Sequence, residues 1–65
     1  ANYSNEELSL FGQTQGTLMV YSMNGAEVFN GLINGKATIS LTGGIYVARL
    51  IDLNGNIFST KFSVN

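Results

Sequence analysis

Few side chains in this sequence are able to do chemistry, and their types exclude most of it. The 65 residues hold no His and no Cys. A thiolate or imidazole metal site is therefore impossible, and a hydroxyl nucleophile lacks its usual base. Lys36, Thr38 and Ser40 alternate along one stretch, and Lys36 is the basic group among them. At that spacing the three share one face of a strand, and a solvated face is the simpler reading. The acids are Glu6, Glu7, Glu27 and Asp52. Glycoside hydrolysis needs two carboxylates facing each other across a cleft, and a chain this short hardly builds one. Glu27 follows an Asn-Gly pair and reads as a solvent-facing strand residue.

Three further features invite a functional reading. Asp52-Leu53-Asn54-Gly55-Asn56 sets oxygen-bearing side chains at alternate positions, like the start of a calcium loop. The Gly falls at the fourth position rather than the sixth, and Ser63 stands where the bidentate Glu is required, so a hairpin turn is expected instead. Gly43-Gly44 is no phosphate cradle, because no Lys-Ser or Lys-Thr follows and the next element reads as a strand. A tight turn or bulge entering that strand is expected there. Tyr3, Tyr21 and Tyr46 are candidates for a stacking platform for sugar or peptide. At strand spacing an aromatic belongs more often to the core, which is the expectation for Tyr46; Tyr21 stays open between the two. No catalytic, cofactor or metal residue is expected, and the protein is expected not to be an enzyme.

The elements that position these residues are strands throughout. Runs rich in Val, Ile, Thr, Tyr and Phe cover residues 7–11, 17–23, 26–30, 36–41, 45–53 and 56–64, separated by Gly and Asn. The clearest alternation puts Ala37, Ile39 and Leu41 on one face and Lys36, Thr38 and Ser40 on the other. In the last run Phe58, Thr60, Phe62 and Val64 share a face, and the Phe62 and Val64 side is expected to be the core side. Tyr46, Ala48 and Leu50 lie opposite Arg49, but Val47 and Ile51 lie with Arg49. That strand is expected to be central and half covered. Asn24-Gly25 and Asn54-Gly55 sit 30 residues apart in similar surroundings. Each predicts a type I′ hairpin turn, and the two hairpins are expected to face each other in a sandwich. The absence of Pro removes one usual means of blunting a sheet edge.

Composition bounds the rest. The length allows one domain, near the lower limit for a core without disulfides or metal. At 45% apolar the chain has the material for a folded core. A net charge of −1 with 11% charged residues offers no basic stripe for nucleic acid. No apolar run approaches membrane-spanning length, and no membrane insertion is expected. No signal peptide stands at Ala1, and the abrupt polar start suggests a piece of a longer protein.

The order of these segments resembles a known family. The stretch from Gly16 through Tyr21 to Gly25 is followed by Glu27-Val28 and a polar-alternating strand. Next come Leu41-Thr42-Gly43-Gly44-Ile45-Tyr46-Val47-Ala48-Arg49-Leu50, a second Asn54-Gly55 turn, and Thr60-Lys61-Phe62-Ser63-Val64. Over about residues 16–65 this is similar to the C-terminal sorting domain, or Por secretion tail, of cargo proteins of the type IX secretion system of Bacteroidota. Members often begin with an Asn-Pro stretch that this chain lacks, so residues 1–15 form a lead-in that matches the family little, with Leu8-Ser9-Leu10 as a candidate first strand.

The resemblance implies an all-β, immunoglobulin-like antiparallel β-sandwich of about six to seven strands. It also implies an export address on a cargo domain lying upstream, without cofactor. Such a domain passes the periplasm, is read by the outer-membrane translocon and a sortase, and reaches the cell surface or medium. The family's recognition elements fall on Gly44, Tyr46, Arg49, Lys61 and Val64. A homodimer through pairing of edge strands is a further expectation. The alternative is a non-catalytic immunoglobulin-like accessory or carbohydrate-binding module of an extracellular protein.

Overall fold

A computed structural model describes residues 2–9 and 15–65. It is all-β. The elements are β1 (Asn2–Ser4), β2 (Glu7–Ser9), β3 (Gln15–Ser22), β4 (Glu27–Asn34), β5 (Lys36–Thr38), β6 (Gly44–Asp52) and β7 (Ile57–Val64). They form two antiparallel sheets packed face to face, one ordered β1-β2-β5 and the other β4-β3-β6-β7. The connection order is that of the immunoglobulin-like class, with the fourth strand placed beside the third.

The inner faces follow from the period of two. Leu18 and Val20 on β3, Tyr46, Ala48 and Leu50 on β6, and Phe62 on β7 point into the sandwich. Leu8 on β2, Ala37 on β5 and Ile39 just beyond it meet them from the other sheet. Leu8, Leu18 and Val20 are fully buried, each stabilising the fold by about 1.5–3 kcal/mol. Phe58 shares the inward side of β7 but stays 44% exposed. The strands of the facing sheet are only three residues long, and β1 packs on β7 near Phe62 rather than near Phe58.

The lead-in is structural. Asn5 and Glu6, with φ of 53° and 64°, form a two-residue hairpin loop joining β1 to β2. The Glu6 carbonyl then accepts the Ile39 N–H at 2.8 Å. Two of the three strands of one sheet therefore come from residues 1–15; of the proposed first strand, Leu8 and Ser9 lie in β2 and Leu10 lies outside the described residues.

The two Asn-Gly hairpins depart from expectation in two respects. They do not face each other across the sandwich. They lie side by side in one sheet, because β3 pairs with β6 from Gly16↔Asp52 to Ser22↔Tyr46. Nor are the turns type I′: Asn24 and Asn54 have negative φ, while Gly25 and Gly55 sit at +86° and +85°. Gly25 N–H donates to Ser22 C=O at 2.9 Å, and Gly55 N–H to Asp52 C=O at 3.1 Å. Each loop is thus three residues, a type I turn closed by a left-handed glycine bulge. The extra residue moves the positive φ off the Asn and leaves it on the Gly alone.

Two tyrosines hold the return from the short sheet to the long one. Tyr3 Oη donates to Ile39 C=O at 2.7 Å and accepts from Leu41 N–H at 3.0 Å. Tyr46 Oη donates to Thr42 C=O at 2.8 Å. A tyrosine near the start of the sixth strand, bonded to backbone just upstream, is the tyrosine corner of immunoglobulin-like sandwiches. Between the two rings lies Phe62, 6.4 Å from Tyr3 and 5.8 Å from Tyr46 by ring centroids.

Two substitutions test this arrangement by urea denaturation. Tyr3→Phe keeps the ring but leaves one N–H and one C=O without partners, and is expected to cost about 1–3 kcal/mol. Tyr21→Phe, on the opposite face, is expected to leave the midpoint unchanged. An unchanged midpoint for both would show that the Tyr3 hydroxyl holds nothing. Gly16 sits between Ile33 and Asp52 in the ladder, and a methyl there would run into the Ile51 carbonyl oxygen. Gly16→Ala is expected to cost about 1–3 kcal/mol through displaced backbone.

Candidate functional site

All five residues that the resemblance singles out lie on the β6–β7 hairpin, at two distinct places. Gly44 pairs with Val64 and Tyr46 with Phe62, at the end of the ribbon that β1 overlies. Gly43 and Gly44 lead into β6 here, and a side chain at Gly43 would touch the backbone of Asn65 at 3.4 Å. That is ordinary contact distance, so space alone does not require a glycine at 43, while Gly44 enters β6 with a φ of +155°. Tyr46 is 6% exposed and its hydroxyl is bonded, so it presents no surface.

Arg49 and Lys61 are the exposed members. Arg49 pairs with Ser59 and Lys61 with Val47, all on the outer face of the long sheet. The two cations are therefore diagonal neighbours, about 7–8 Å apart at Cα. The third cation, Lys36, stands on the other sheet, 3.9 Å from Glu7. Both of those side chains are largely exposed, so the contact adds little.

The catalytic alternatives do not assemble. Glu6 and Glu7 belong to the β1–β2 hairpin, Glu27 to the start of β4 and Asp52 to the end of β6. Glu27 lies beside Tyr21 and Asp52 beside Gly16, about 16 Å apart along β3. Lys36, Thr38 and Ser40 are exposed around β5. Among the described residues, no group of three or more acids, His or Cys is placed to hold a metal.

Asp52 instead builds its own turn. Its Oδ1 accepts from Asn54 N–H at 2.9 Å and Asn56 N–H at 2.8 Å, and its Oδ2 accepts from Asn56 Nδ2 at 3.1 Å. Desolvation pushes the carboxyl pKa up, but the hydrogen bonds from Asn56 and Asn54 outweigh it, and the net shift is downward. The equivalent position of the other hairpin is Ser22, whose hydroxyl meets Asn24 Oδ1.

The tyrosines do not form a common platform either. Tyr3 and Tyr46 flank Phe62 inside the sandwich, whereas Tyr21 stands half-buried on the outer face with its hydroxyl 3.5 Å from Met19 Sδ. The interior use of Tyr3 had one sequence signal, an aromatic alone in the polar stretch 1–7. Among the described residues no helix is long and apolar enough to cross a membrane. No protein-family model matches the chain, and no curated protein or solved structure does either.

Asp52 also supplies a pH test. A carboxyl with a depressed folded-state pKa contributes stability above its unfolded pKa and loses it as pH falls through the folded value. Stability of the native chain is expected to decline on acidification below the usual aspartate range. Asp52→Asn keeps one acceptor and no charge, and is expected to flatten that part of the profile measured by urea midpoints. An identical profile for both proteins would remove Asp52 from the account.

Proposed function

We propose that this domain is a non-catalytic sorting signal, directing a cargo protein across the outer membrane through the type IX secretion system. The observation that carries the reading is that Gly44, Tyr46, Arg49, Lys61 and Val64 all fall on one hairpin, β6–β7. Its outer strand β7 is eight residues long and is the last strand in its sheet. Such an edge offers unpaired backbone donors and acceptors to a partner that adds a strand. Arg49 and Lys61 stand exposed on that ribbon, where a receptor reads charge without entering the core.

In this reading Gly44, Tyr46 and Val64 shape the ribbon, and Arg49 and Lys61 are contacted. The translocon and sortase are the partners, the cargo is fused to the domain, and the route runs from periplasm to surface or medium. No cofactor takes part. The dispersed acids and the fully engaged Asp52 carboxylate favour this over an acid-based enzyme.

Fusing residues 1–65 to a periplasm-targeted fluorescent reporter tests the role, in a bacterium with a working type IX system and in a translocon-null sibling. The reporter is expected outside only in the working strain. Removing residues 62–65 would delete buried Phe62 and confuse recognition with unfolding. Arg49→Glu with Lys61→Glu leaves the core intact and is expected to reduce export several-fold. Retention in the periplasm of both strains would reject the sorting role and favour an accessory module, for which glycan binding is the next assay.

A further inference from the structure

The short sheet covers one face of the long sheet and leaves the other, half apolar and half polar, to solvent. On the outer face the registers define rows that cross all four strands. One row reads Leu32, Thr17, Ile51, Ile57 from the β4 edge to the β7 edge. The next reads Asn30, Met19, Arg49, Ser59. A third reads Glu27, Tyr21, Val47, Lys61. Leu32 is 82% exposed and Ile57 55%. One row is therefore apolar but for Thr17, one is polar at both edges, and one carries an anion at the β4 edge and a cation at the β7 edge.

We infer that this face takes a second copy of the same chain, related by a two-fold axis parallel to the strands. Such an axis exchanges the β4 and β7 edges and keeps each row over itself. Leu32 then lies over the partner copy's Ile57, Asn30 over Ser59, and Glu27 over Lys61, each contact occurring twice. Glu27 arrives above the diagonal Lys61 and Arg49, which repel each other in the single chain. A two-fold axis across the strands fails this test, because it sets Leu32 over Glu27 and Ile57 over Lys61. Arg49 starts near the axis, over Met19, and its stem is long enough to carry the guanidinium along the polar row toward Ser59 and the rim.

Four strands of this length present on the order of 500 Å² per copy. Stable complexes bury about 800 Å² per partner. The association is therefore weak and concentration-dependent, reached where chains are crowded together. It differs from pairing of edge strands, which would use β4 or β7 backbone rather than the outer face. It stands independently of the sorting role, since it is read from association rather than export.

Sedimentation equilibrium on the 65-residue chain, from micromolar to millimolar concentration, tests the inference. The native chain is expected to show a monomer–dimer equilibrium. Glu27→Lys and Lys61→Glu each replace two attractive pairs by two repulsive ones and are expected to weaken it about tenfold. The double variant Glu27→Lys/Lys61→Glu restores opposite charges and is expected to return to the native constant. Leu32→Asp, at a position 82% exposed in the single chain, is expected to abolish the dimer while leaving the urea midpoint unchanged. A chain that stays monomeric to millimolar concentration overturns the inference. So does a dimer indifferent to Leu32→Asp, or single reversals that the double variant fails to rescue.

Discussion

Phe62, held between Tyr3 and Tyr46, is the contact on which the sandwich depends. It belongs to the long sheet, Tyr3 to the short one, and Tyr46 to the strand paired with its own. A chain with no disulfide must join its sheets by packing alone, and aromatic rings supply the largest buried area per residue. The same two tyrosines solve a second problem. Between β5 and β6 the chain leaves one sheet for the other, and past the Ile39 N–H, which the Glu6 carbonyl takes, its backbone has no ladder to satisfy it. The phenol oxygens take that place at Ile39, Leu41 and Thr42. One cluster thus joins the layers and satisfies the backbone that crosses between them. Leucine or valine could provide the packing, but not the hydrogen bonds.

The long sheet has an internal symmetry that explains the repeated Asn-Gly units. Met19 pairs with Arg49, a separation of 30 residues, and Val20 and Leu50 lie equivalently on either side of that pair. Phe29 stands opposite Val20, and Phe58 opposite Leu50. The β3–β4 hairpin therefore maps onto the β6–β7 hairpin by a local two-fold axis through the sheet, with the turns at opposite ends. The offset falls from 30 to 29 on the outer strands because the β3–β4 ladder carries a bulge between Val20 and Tyr21. The match is one of backbone and inward residues. Glu27 and Ile57 occupy equivalent outer positions and share no chemistry.

Much of this was legible in the residues, and the limits have physical causes. All six apolar runs contain strands, since β-branched and aromatic residues between Gly and Asn leave little alternative. The inward set Ala37, Ile39, Leu41 follows from strict alternation, and Tyr46, Ala48, Leu50 follow from lying opposite Arg49. Which sheet a hairpin joins does not follow, because an apolar face fits equally beside or opposite its twin. Strand β1 was hidden because Asn2, Tyr3 and Ser4 carry a single apolar group, so no period shows. The turn type hinged on one extra loop residue that Asn-Gly alone does not reveal. At the candidate site, the hairpin carrying Gly44, Tyr46, Arg49, Lys61 and Val64 was legible as a unit. That Tyr46 faces inward and Arg49 and Lys61 outward was legible from alternation, whereas the Thr42 carbonyl that engages the Tyr46 hydroxyl was not.

The apolarity of the outer face needs a cause beyond strand formation. β-Branched residues favour a pleated surface even when solvated, and that accounts for Val47, Ile51 and Ile57. It does not account for Leu32, which lacks β-branching and is almost fully exposed on an edge strand. Edge strands in isolated domains are normally protected by charge or Pro, and β4 carries Glu27 as its one charged residue and no Pro. Burial against a partner explains Leu32 and Ile57 together, since both occupy the same row at opposite edges. It also explains why the opposed charges share a row at those same edges, where they are too far apart to meet within one chain. Strand propensity makes no demand on either placement, whereas a two-fold contact makes both.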